Sequence, residues 1–405
     1  MLRRTLSLVT ATVATSAAVL VVTAGPALAA DVPTKRNITY TLSTSRSYTA
    51  ADTLGNAIGW GKNRTVDWVM EHANRALAPQ CEAGSNGALQ PLAAVAGLEY
   101  GFCWREDGTS DDDPDGAWYP QGITSTADAY GADYYDGVQA VAVTWYHETA
   151  KYARLTLAPI YGYGTGVNNY RHLLLAAPTG GGTDFSEVNC HAGGAMWYGD
   201  MLYVACTDRI KLFSFKHIFS ADTSADCAAE IGKVGAKYCA SGYAYIMLQV
   251  GQIVASGPAI TFSTISLDRQ ATPDKLVIGE YSTSPGAGLW RFDLDSSTRL
   301  PSSYYYDAWN MPFSSVQGVT TRDTKFWFHS SGGVITSGET IQDNYGKLRF
   351  WNGQPTSAVK VWTGAYGAES LSYFGDDSSE PDTLFTLSEH PGYRGVIAIQ
   401  ASDFD

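Results

Sequence analysis

The chain has 405 residues, with 27 basic and 40 acidic side chains, so its formal charge is −13. An acidic surface repels the phosphates of nucleic acids and the headgroups of anionic lipids. The composition therefore argues against nucleic-acid and membrane partners, and no apolar run after the first 30 residues is long enough to span a bilayer.

Residues 1–29 have the pattern of a secretory signal peptide. Arg3 and Arg4 precede an apolar stretch over 6–22, and small residues follow at Ala27 and Ala29. This order of a basic start, a short apolar stretch and a small-residue cleavage site is typical of export. We predict cleavage after Ala29 and a secreted, extracellular protein.

Six cysteines in an exported chain predict three disulfides, because the extracellular compartment is oxidising. Six cysteines allow about 15 pairings, and the sequence alone does not choose among them. We favour the sequential pairs, since each closes a short local loop. These pairs are Cys81–Cys103, Cys190–Cys206 and Cys227–Cys239.

The segment 30–102 is predicted to be an N-terminal cap with one short helix. Apolar residues recur at nearly helical spacing over 65–77, with Val66, Val69 and Ala73 among them, and Pro79 follows. We expect this cap to pack on the rest of the protein.

An acidic loop spans 107–116 and contains Asp111, Asp112, Asp113 and Asp115. Such a loop is most simply solvated. The alternative is a cation site, because clustered carboxylates are the hard oxygen ligands that calcium prefers. Calcium is therefore the one metal ion that the sequence suggests as a possible cofactor.

From residue 119 onward, a sequence pattern that predicts three short strands recurs five times at irregular intervals. Each copy has a polar opening, an apolar middle run that ends in a polar residue, and a closing strand. The openings lie at 120–124, 191–194, 264–268, 316–320 and 369–373. A repeated small sheet is typical of a β-propeller. We predict an all-β propeller over 103–405 with five blades, or six if 89–100 supplies another sheet.

Two segments carry a resemblance to known proteins. The sequences WYPQGIT at 118–124 and HAGGAMWYGDMLYVA at 191–205 look like paired signatures of a group of secreted propeller-like proteins from actinomycetes. The resemblance covers roughly 103–405. It implies the propeller fold and export, and it implies no catalytic residues.

In a propeller blade, the start of the first strand and the end of the second strand lie at the same face of the disc. The polar residues at these positions should therefore converge at one mouth of the central channel. The openings carry Gln121, His191, Asp268, Gln317 and Glu369, and the strand ends carry His147, Asp208, Glu280, His329 and Glu389.

From this set we take His191, Glu369 and Asp268 as candidate catalytic residues. The acids and the imidazole can serve as a general acid and a general base. The candidate substrate-binding residues are Gln121, Gln317, His147, His329 and Glu280. For each of them the simpler alternative is a solvated polar side chain in a wet channel.

Three functions fit these residues. The first is a secreted carbohydrate-active enzyme, a polysaccharide lyase or glycosidase with one site at the channel mouth. The second is a non-catalytic glycan-binding or scaffold propeller. The third is a lactonase or esterase that depends on a channel metal. The openings differ from blade to blade, which favours a single site, and we expect a monomer that binds an extracellular glycan or small molecule.

Overall fold

The computed structural model describes residues 32–37, 40–79, 97–104, 112–113, 116–160, 169–257, 260–375 and 382–404. Within these ranges β-strands dominate and helices are few and short. The predicted all-β class is therefore confirmed. The predicted signal peptide over 1–29 lies outside the described residues.

The N-terminal segment contributes short strands and two helices. The strands are β1 (Thr34–Lys35), β2 (Thr41–Arg46), β3 (Asn63–Arg64), β4 (Arg75–Ala76), β5 (Ala78–Pro79) and β6 (Leu98–Cys103), and the helices are α1 (Thr49–Ile58) and α2 (Val66–Glu71). The helix predicted over 65–77 exists as α2 and is shorter, while α1 was not predicted. Thr65 caps α2, because its Oγ1 accepts a hydrogen bond from the Trp68 amide at 3.1 Å.

The first two sets of strands follow in chain order. The first set is β7 (Trp118–Ser125), β8 (Ala140–His147), β9 (Ala153–Pro159) and β10 (Asn169–Thr179), with α3 (Thr126–Tyr130) after β7 and β11 (Asp184–Glu187) after β10. The second set is β12 (Ala195–Tyr198), β13 (Met201–Ala205), β14 (Ile210–Ser220) and β17 (Tyr245–Ser256), and the hairpin β15 (Ile231–Val234) and β16 (Lys237–Ala240) is inserted before β17.

Three more sets complete the chain. They are β18 (Thr264–Asp268), β19 (Lys275–Gly279), β20 (Gly288–Asp295) and β21 (Leu300–Asn310); β22 (Val316–Arg322), β23 (Lys325–Ser330), β24 (Tyr345–Trp351) and β25 (Lys360–Tyr366); and β26 (Ala368–Phe374), β27 (Thr383–Ser388) and β28 (Gly395–Gln400). Strand β6 pairs with β28 and becomes the fourth strand of the last set.

Each of these five units is an antiparallel sheet of four consecutively paired strands. The first strands of the units contact one another in a ring, in the order β7, β12, β18, β22, β26 and back to β7. We interpret the units as propeller blades. Further pairings join the first three units into one large sheet, so the number of blades stays an interpretation.

Glycines allow the ring of first strands to close tightly. A Cβ atom on Gly122 would lie 2.6 Å from the carbonyl carbon of Gly194, and one on Gly318 would lie 2.6 Å from the carbonyl oxygen of Glu369. No real side chain fits at such distances, so neighbouring first strands can approach this closely only with glycine at these positions.

Strand β6 also bears on the alternative of six blades. The described part of 89–100 lies in β6, which completes the fifth unit and does not form a sheet of its own. The proposed division into a cap and a propeller at residue 103 stays a prediction.

Two of the three predicted disulfides are confirmed. Cys190–Cys206 joins the segment before β12 to the end of β13, and Cys227–Cys239 closes the inserted hairpin. Cys81 lies outside the described residues, and so does the predicted Cys81–Cys103 bridge. Within the described ranges, no helix is long and apolar enough to cross a membrane.

Candidate functional site

The ring of first strands has two ends, which we call the upper mouth and the lower mouth. The upper mouth is where the first strands begin, near Gln121, Gln317 and Glu369, and the lower mouth is where they finish, near Asp128 and Asp268. Between the mouths, the hydroxyls of Thr264 and Ser370 lie 3.4 Å apart although they belong to different units. The interior is therefore narrow, and a ligand of ordinary size can act only at a mouth.

Two glutamates form a carboxyl pair at the upper mouth. Glu369 opens β26 and is 1% exposed, while Glu389 follows β27 and its side chain is 18% exposed. Each carboxyl shifts the pKa of the other, and two neighbouring carboxyls do not readily ionise together, so the pair favours holding one proton. Glu389 was predicted to lie at a strand end, without a role in the site.

Burial and mutual repulsion shift the acidity of the pair. Burial raises the pKa of Glu369 well above its ordinary value, and the charge of Glu389 adds to this effect. Burial also raises the pKa of Glu389, although Gln121 and Arg394 oppose the shift. Both shifts favour the protonated form, and the shift is larger at Glu369, so we assign the proton of the pair to Glu369.

Two glutamine amides hold the carboxyl pair from either side. Gln121 Nε2 donates to Glu389 Oε2 at 2.7 Å, and Gln317 Nε2 donates to Glu369 Oε1 at 2.9 Å. These contacts connect the first and fourth units to the fifth. The predicted grouping of Gln121, Gln317 and Glu369 at one mouth is therefore what the structure displays.

Among the described residues, no lysine or arginine side chain lies within ion-pair distance of either carboxyl of the pair. His390 Nδ1 is 4.0 Å from Glu389 Oε1, but burial and nearby Arg394 lower the pKa of His390 to about 4. His390 is consequently neutral near pH 7. The charge of Arg394 acts on Glu389 without forming an ion pair, so the pair relies mainly on its own proton.

Aromatic rings connect the carboxyl pair to His191. Tyr119 stacks on Tyr146 with ring centroids 5.5 Å apart, and Tyr146 packs on His191 at 4.4 Å. Burial raises the pKa of Tyr146, and Glu389 raises it further, so the phenol keeps its proton. We call Tyr119, Tyr146 and His191 the aromatic rim.

His191 has an exposed side chain just before β12. Its pKa is nevertheless lowered, first by the atoms packed around the ring and then by Lys151, so the imidazole is neutral near pH 7. Gly193 and Gly194 follow His191 closely, but they leave no space for a ligand beside it. A Cβ on Gly193 would lie 2.2 Å from the Ser263 carbonyl oxygen, so the backbone of the neighbouring unit occupies that space.

A groove of about 540 Å³ opens beside the aromatic rim. We call it the basic groove, because Lys151, Arg209 and Lys211 line it together with Tyr146 and His191. The Cys190–Cys206 disulfide forms part of its wall. These cations were not predicted, because they belong to neither the strand openings nor the ends of the middle strands.

Asp268, the third candidate catalytic residue, belongs to the lower mouth, so its predicted grouping with His191 and Glu369 is wrong. It is the last residue of β18 and fully buried. Thr321 Oγ1 donates to its Oδ2 at 2.6 Å, and Arg291 Nη1 lies 3.3 Å from the same oxygen. The prediction failed because Asp268 closes a first strand, whereas Glu369 lies near the start of one.

The lower mouth also holds Asp128, which no sequence pattern singled out. Thr124 and Ser372 donate hydroxyl hydrogen bonds to its Oδ2 at 2.6 and 3.1 Å. Burial raises the pKa of Asp128 to about 6, although these hydroxyls and Arg269 oppose the shift. The cavity at this mouth measures only about 20 Å³, which is too small for a sugar.

Two predicted binding residues are engaged with the protein itself. His329 is fully buried, its Nδ1 is bonded to Thr386 Oγ1 at 2.8 Å, and its Nε2 accepts from the Ala365 amide at 3.1 Å. Glu280 accepts hydrogen bonds from the Thr261 and Gly288 amides at 3.1 and 2.9 Å. Both therefore fix the positions of strands and loops.

His147 is also occupied by neighbouring groups. Its ring packs on Trp118 and Tyr152 at 5.0 and 5.4 Å, and its Nδ1 accepts from the Ala150 amide at 3.0 Å. These contacts close the turn after β8. The structure thus places His147 beside the rim residue Tyr146 without turning it toward the carboxyl pair.

Two residues of the acidic loop are buried, so the solvated interpretation is wrong for them. Asp112 is 2% exposed and bonds Arg154 at 2.9 Å, Arg75 at 3.0 Å and His172 at 3.1 Å. Asp113 accepts from the Arg394 amide at 2.7 Å. Across the described residues, no three His, Cys, Asp or Glu side chains are arranged to hold a metal ion.

Comparison with known proteins identifies no related protein from which a function could be inferred. No protein-family model matches the chain, and no curated protein is significantly similar to it. The resemblance to secreted actinomycete proteins stays a prediction.

Proposed function

We propose that the protein is an extracellular glycan-cleaving enzyme that uses acid–base catalysis at the upper mouth. The observation that carries the proposal is the carboxyl pair of Glu369 and Glu389, which shares a proton beside an aromatic rim. A buried pair of like charges costs stability, and perturbed titrating groups of this kind concentrate at functional sites. Aromatic rings beside such a pair suit the apolar faces of sugar rings.

The two glutamates differ in access. Glu369 is buried behind Glu389, and Glu389 is the member that water and ligands can reach. A proton can therefore pass from Glu369 to a substrate through Glu389. Catalysis of this type contributes about 10²–10⁴-fold to a rate.

The geometry does not match a glycosidase with two separate carboxyls. Such enzymes place the two groups on opposite sides of the scissile bond, roughly 5 to 9.5 Å apart. The carboxyls of Glu369 and Glu389 instead perturb each other as close neighbours, so they act as one unit from one side. The complementary group must come from the aromatic rim, where His191 is neutral and can accept a proton.

A screen of the secreted protein against plant and microbial polysaccharides tests this proposal. Two signals are read: new reducing ends, and the ultraviolet absorbance of unsaturated uronates. We expect cleavage of at least one glycan and a loss of about 100-fold or more in turnover for Glu369→Gln. The exposed Glu230→Gln, on the inserted loop before β15, is the matched control and should keep full turnover.

Glycan binding without cleavage would replace the enzyme by the non-catalytic alternative. Full turnover in Glu369→Gln would remove the carboxyl pair from the chemistry.

A further inference from the structure

The charge of the basic groove contrasts with that of the whole chain. The chain carries a formal charge of −13, yet three cations line one cavity. The single carboxylate of the lining is Asp208, which is exposed and paired with Arg209 at 2.5 Å. The lining therefore has an excess of two positive charges.

These two charges belong to Lys151 and Lys211. Neither makes an ion pair within the described residues. Lys211 is half-buried, and its Nζ donates to the Asn189 carbonyl oxygen at 3.0 Å. Burial and Arg209 both disfavour its charge. Binding of an anion would stabilise this half-buried ammonium group, because burying an unpaired charge is costly.

The remaining lining is suited to a sugar. Gln249 and Gln252 add carboxamides, which can both donate to and accept from hydroxyls. The rim residues Tyr146 and His191 form one edge, so a chain of sugars lying in the groove would contact the aromatic rim. The negative charge of the chain as a whole disfavours long polyphosphates.

On the basis of the proposed function, we propose that the basic groove binds the carboxylate of a uronic acid unit, so that the substrates are acidic polysaccharides. The positions of Lys151 and Lys211 beside the aromatic rim carry this assignment. Arg209 is held by Asp208 and donates from Nη1 to Gln252 Oε1 at 2.9 Å, so it supports the groove wall.

A uronate substrate also defines the reaction class. The hydrogen on the carbon next to the carboxylate, C5, is acidified when lysines neutralise that carboxylate. Neutral His191 takes this proton, and the electron pair of the C5–H bond forms a C4=C5 double bond. The C4–O bond breaks, and the leaving oxygen takes the proton held by the carboxyl pair. The products are a new sugar end and an unsaturated uronate, with no water consumed.

Binding measurements separate this inference from the proposed function. We would titrate a short oligogalacturonide, a neutral oligosaccharide of equal length and a sulfated one into Glu369→Gln protein by calorimetry. We expect the oligogalacturonide to bind best. Adding Lys211→Met should weaken it by about tenfold or more, as expected for a lost hydrogen bond to a charged group.

The control is Lys233→Met, an exposed lysine on the inserted hairpin, which should leave the affinity unchanged. Lys151→Met, at an exposed position, provides a second variant if Lys211→Met does not fold. Equal binding of the neutral sugar, preference for the sulfated one, or unchanged affinity in both lysine variants would overturn the inference. Cleavage of a neutral glycan alone would overturn it and leave the proposed function standing. Selective uronate binding without cleavage would do the reverse.

Discussion

The two mouths of the ring bury carboxyl groups in opposite ways. At the lower mouth, Asp268 has a guanidinium and a hydroxyl as partners, and Asp128 has two hydroxyls. At the upper mouth, Glu369 and Glu389 lie beside each other, and the side chains that donate hydrogen bonds to them are neutral amides, while the charge of Arg394 acts on Glu389 without an ion pair. A buried acid with its own partners holds strands together, whereas two acids that must share a proton are poised to transfer one.

The two mouths also differ in the volume of the cavity beside them. The cavity at the lower mouth is about 20 Å³, while the groove beside the upper mouth is about 540 Å³. Substitutions at the lower mouth should therefore change stability, and substitutions at the upper mouth should change activity.

The largest expected effect is on stability, at Arg291 beside the lower mouth. This side chain is 5% exposed and pairs with Asp268 at 3.3 Å and with Asp307 at 2.7 Å. Arg291→Met removes the cation from two carboxylates, so we expect a loss of about 3–5 kcal/mol, the usual cost of breaking a buried ion pair. Urea unfolding measures it, and a loss within error of zero would contradict the structural role of the lower mouth.

At the upper mouth, Glu369→Gln should give the opposite result. The amide preserves the shape of the side chain and removes the shared proton. Turnover on a cleaved glycan should fall by about 100-fold or more. The melting temperature should change little, because a carboxyl that already carries a proton has been replaced by an amide of the same shape. A large drop in melting temperature with normal turnover per folded molecule would show that the upper mouth, like the lower mouth, has a structural role.

His191→Ala tests whether the aromatic rim takes part in the chemistry. If the imidazole is the base, turnover should fall by about 100-fold while the melting temperature changes little. A protein that only binds should lose affinity for the glycan instead. A loss of roughly 1–3 kcal/mol in stability would indicate a structural role beside the Cys190 loop. A variant unchanged in all three measurements would remove His191 from the site.

The smallest expected effect is a change in pH dependence at Asp128. Its pKa is raised from 3.8 to about 6, so the folded protein binds this proton more tightly than the unfolded chain. The associated stability is complete below about pH 4 and is lost as the pH rises through about 6. Asp128→Asn should flatten this decline and stabilise the protein at pH 7 by about 1–3 kcal/mol. Thermal unfolding from pH 4 to 8 measures the effect, and an unchanged slope would contradict it.

Much of the fold could be predicted from the sequence, because strands, openings and local disulfides leave periodic signals. The first strands β7, β18, β22 and β26 lie within or beside the predicted openings. Helix α1 was missed, because its Thr-rich start at Thr49 resembles the strand sequence before it. The end of α2 was also misplaced, since the chain leaves the helix at His72 to form β4.

The candidate site was predicted only in part. Residues in equivalent positions, such as Gln317 and Glu369, were correctly grouped, because strand order alone decides which mouth they share. Asp268 was assigned to the wrong mouth, because it is the last residue of a five-residue first strand. It therefore lies at the opposite end of that strand from the opening. The partnership of Glu369 with Glu389 and the cations of the basic groove depend on side-chain packing, which leaves no periodic signal.

The carboxyl pair is the centre of this account, and its titration tests it without any substrate. Carbon-13 NMR of protein labelled at the glutamate carboxyl carbons reports the protonation of each glutamate as the pH is raised. We predict one glutamate that is still protonated at pH 7 and whose signal disappears in Glu369→Gln. The account is contradicted if every glutamate ionises near the ordinary pKa of 4.5.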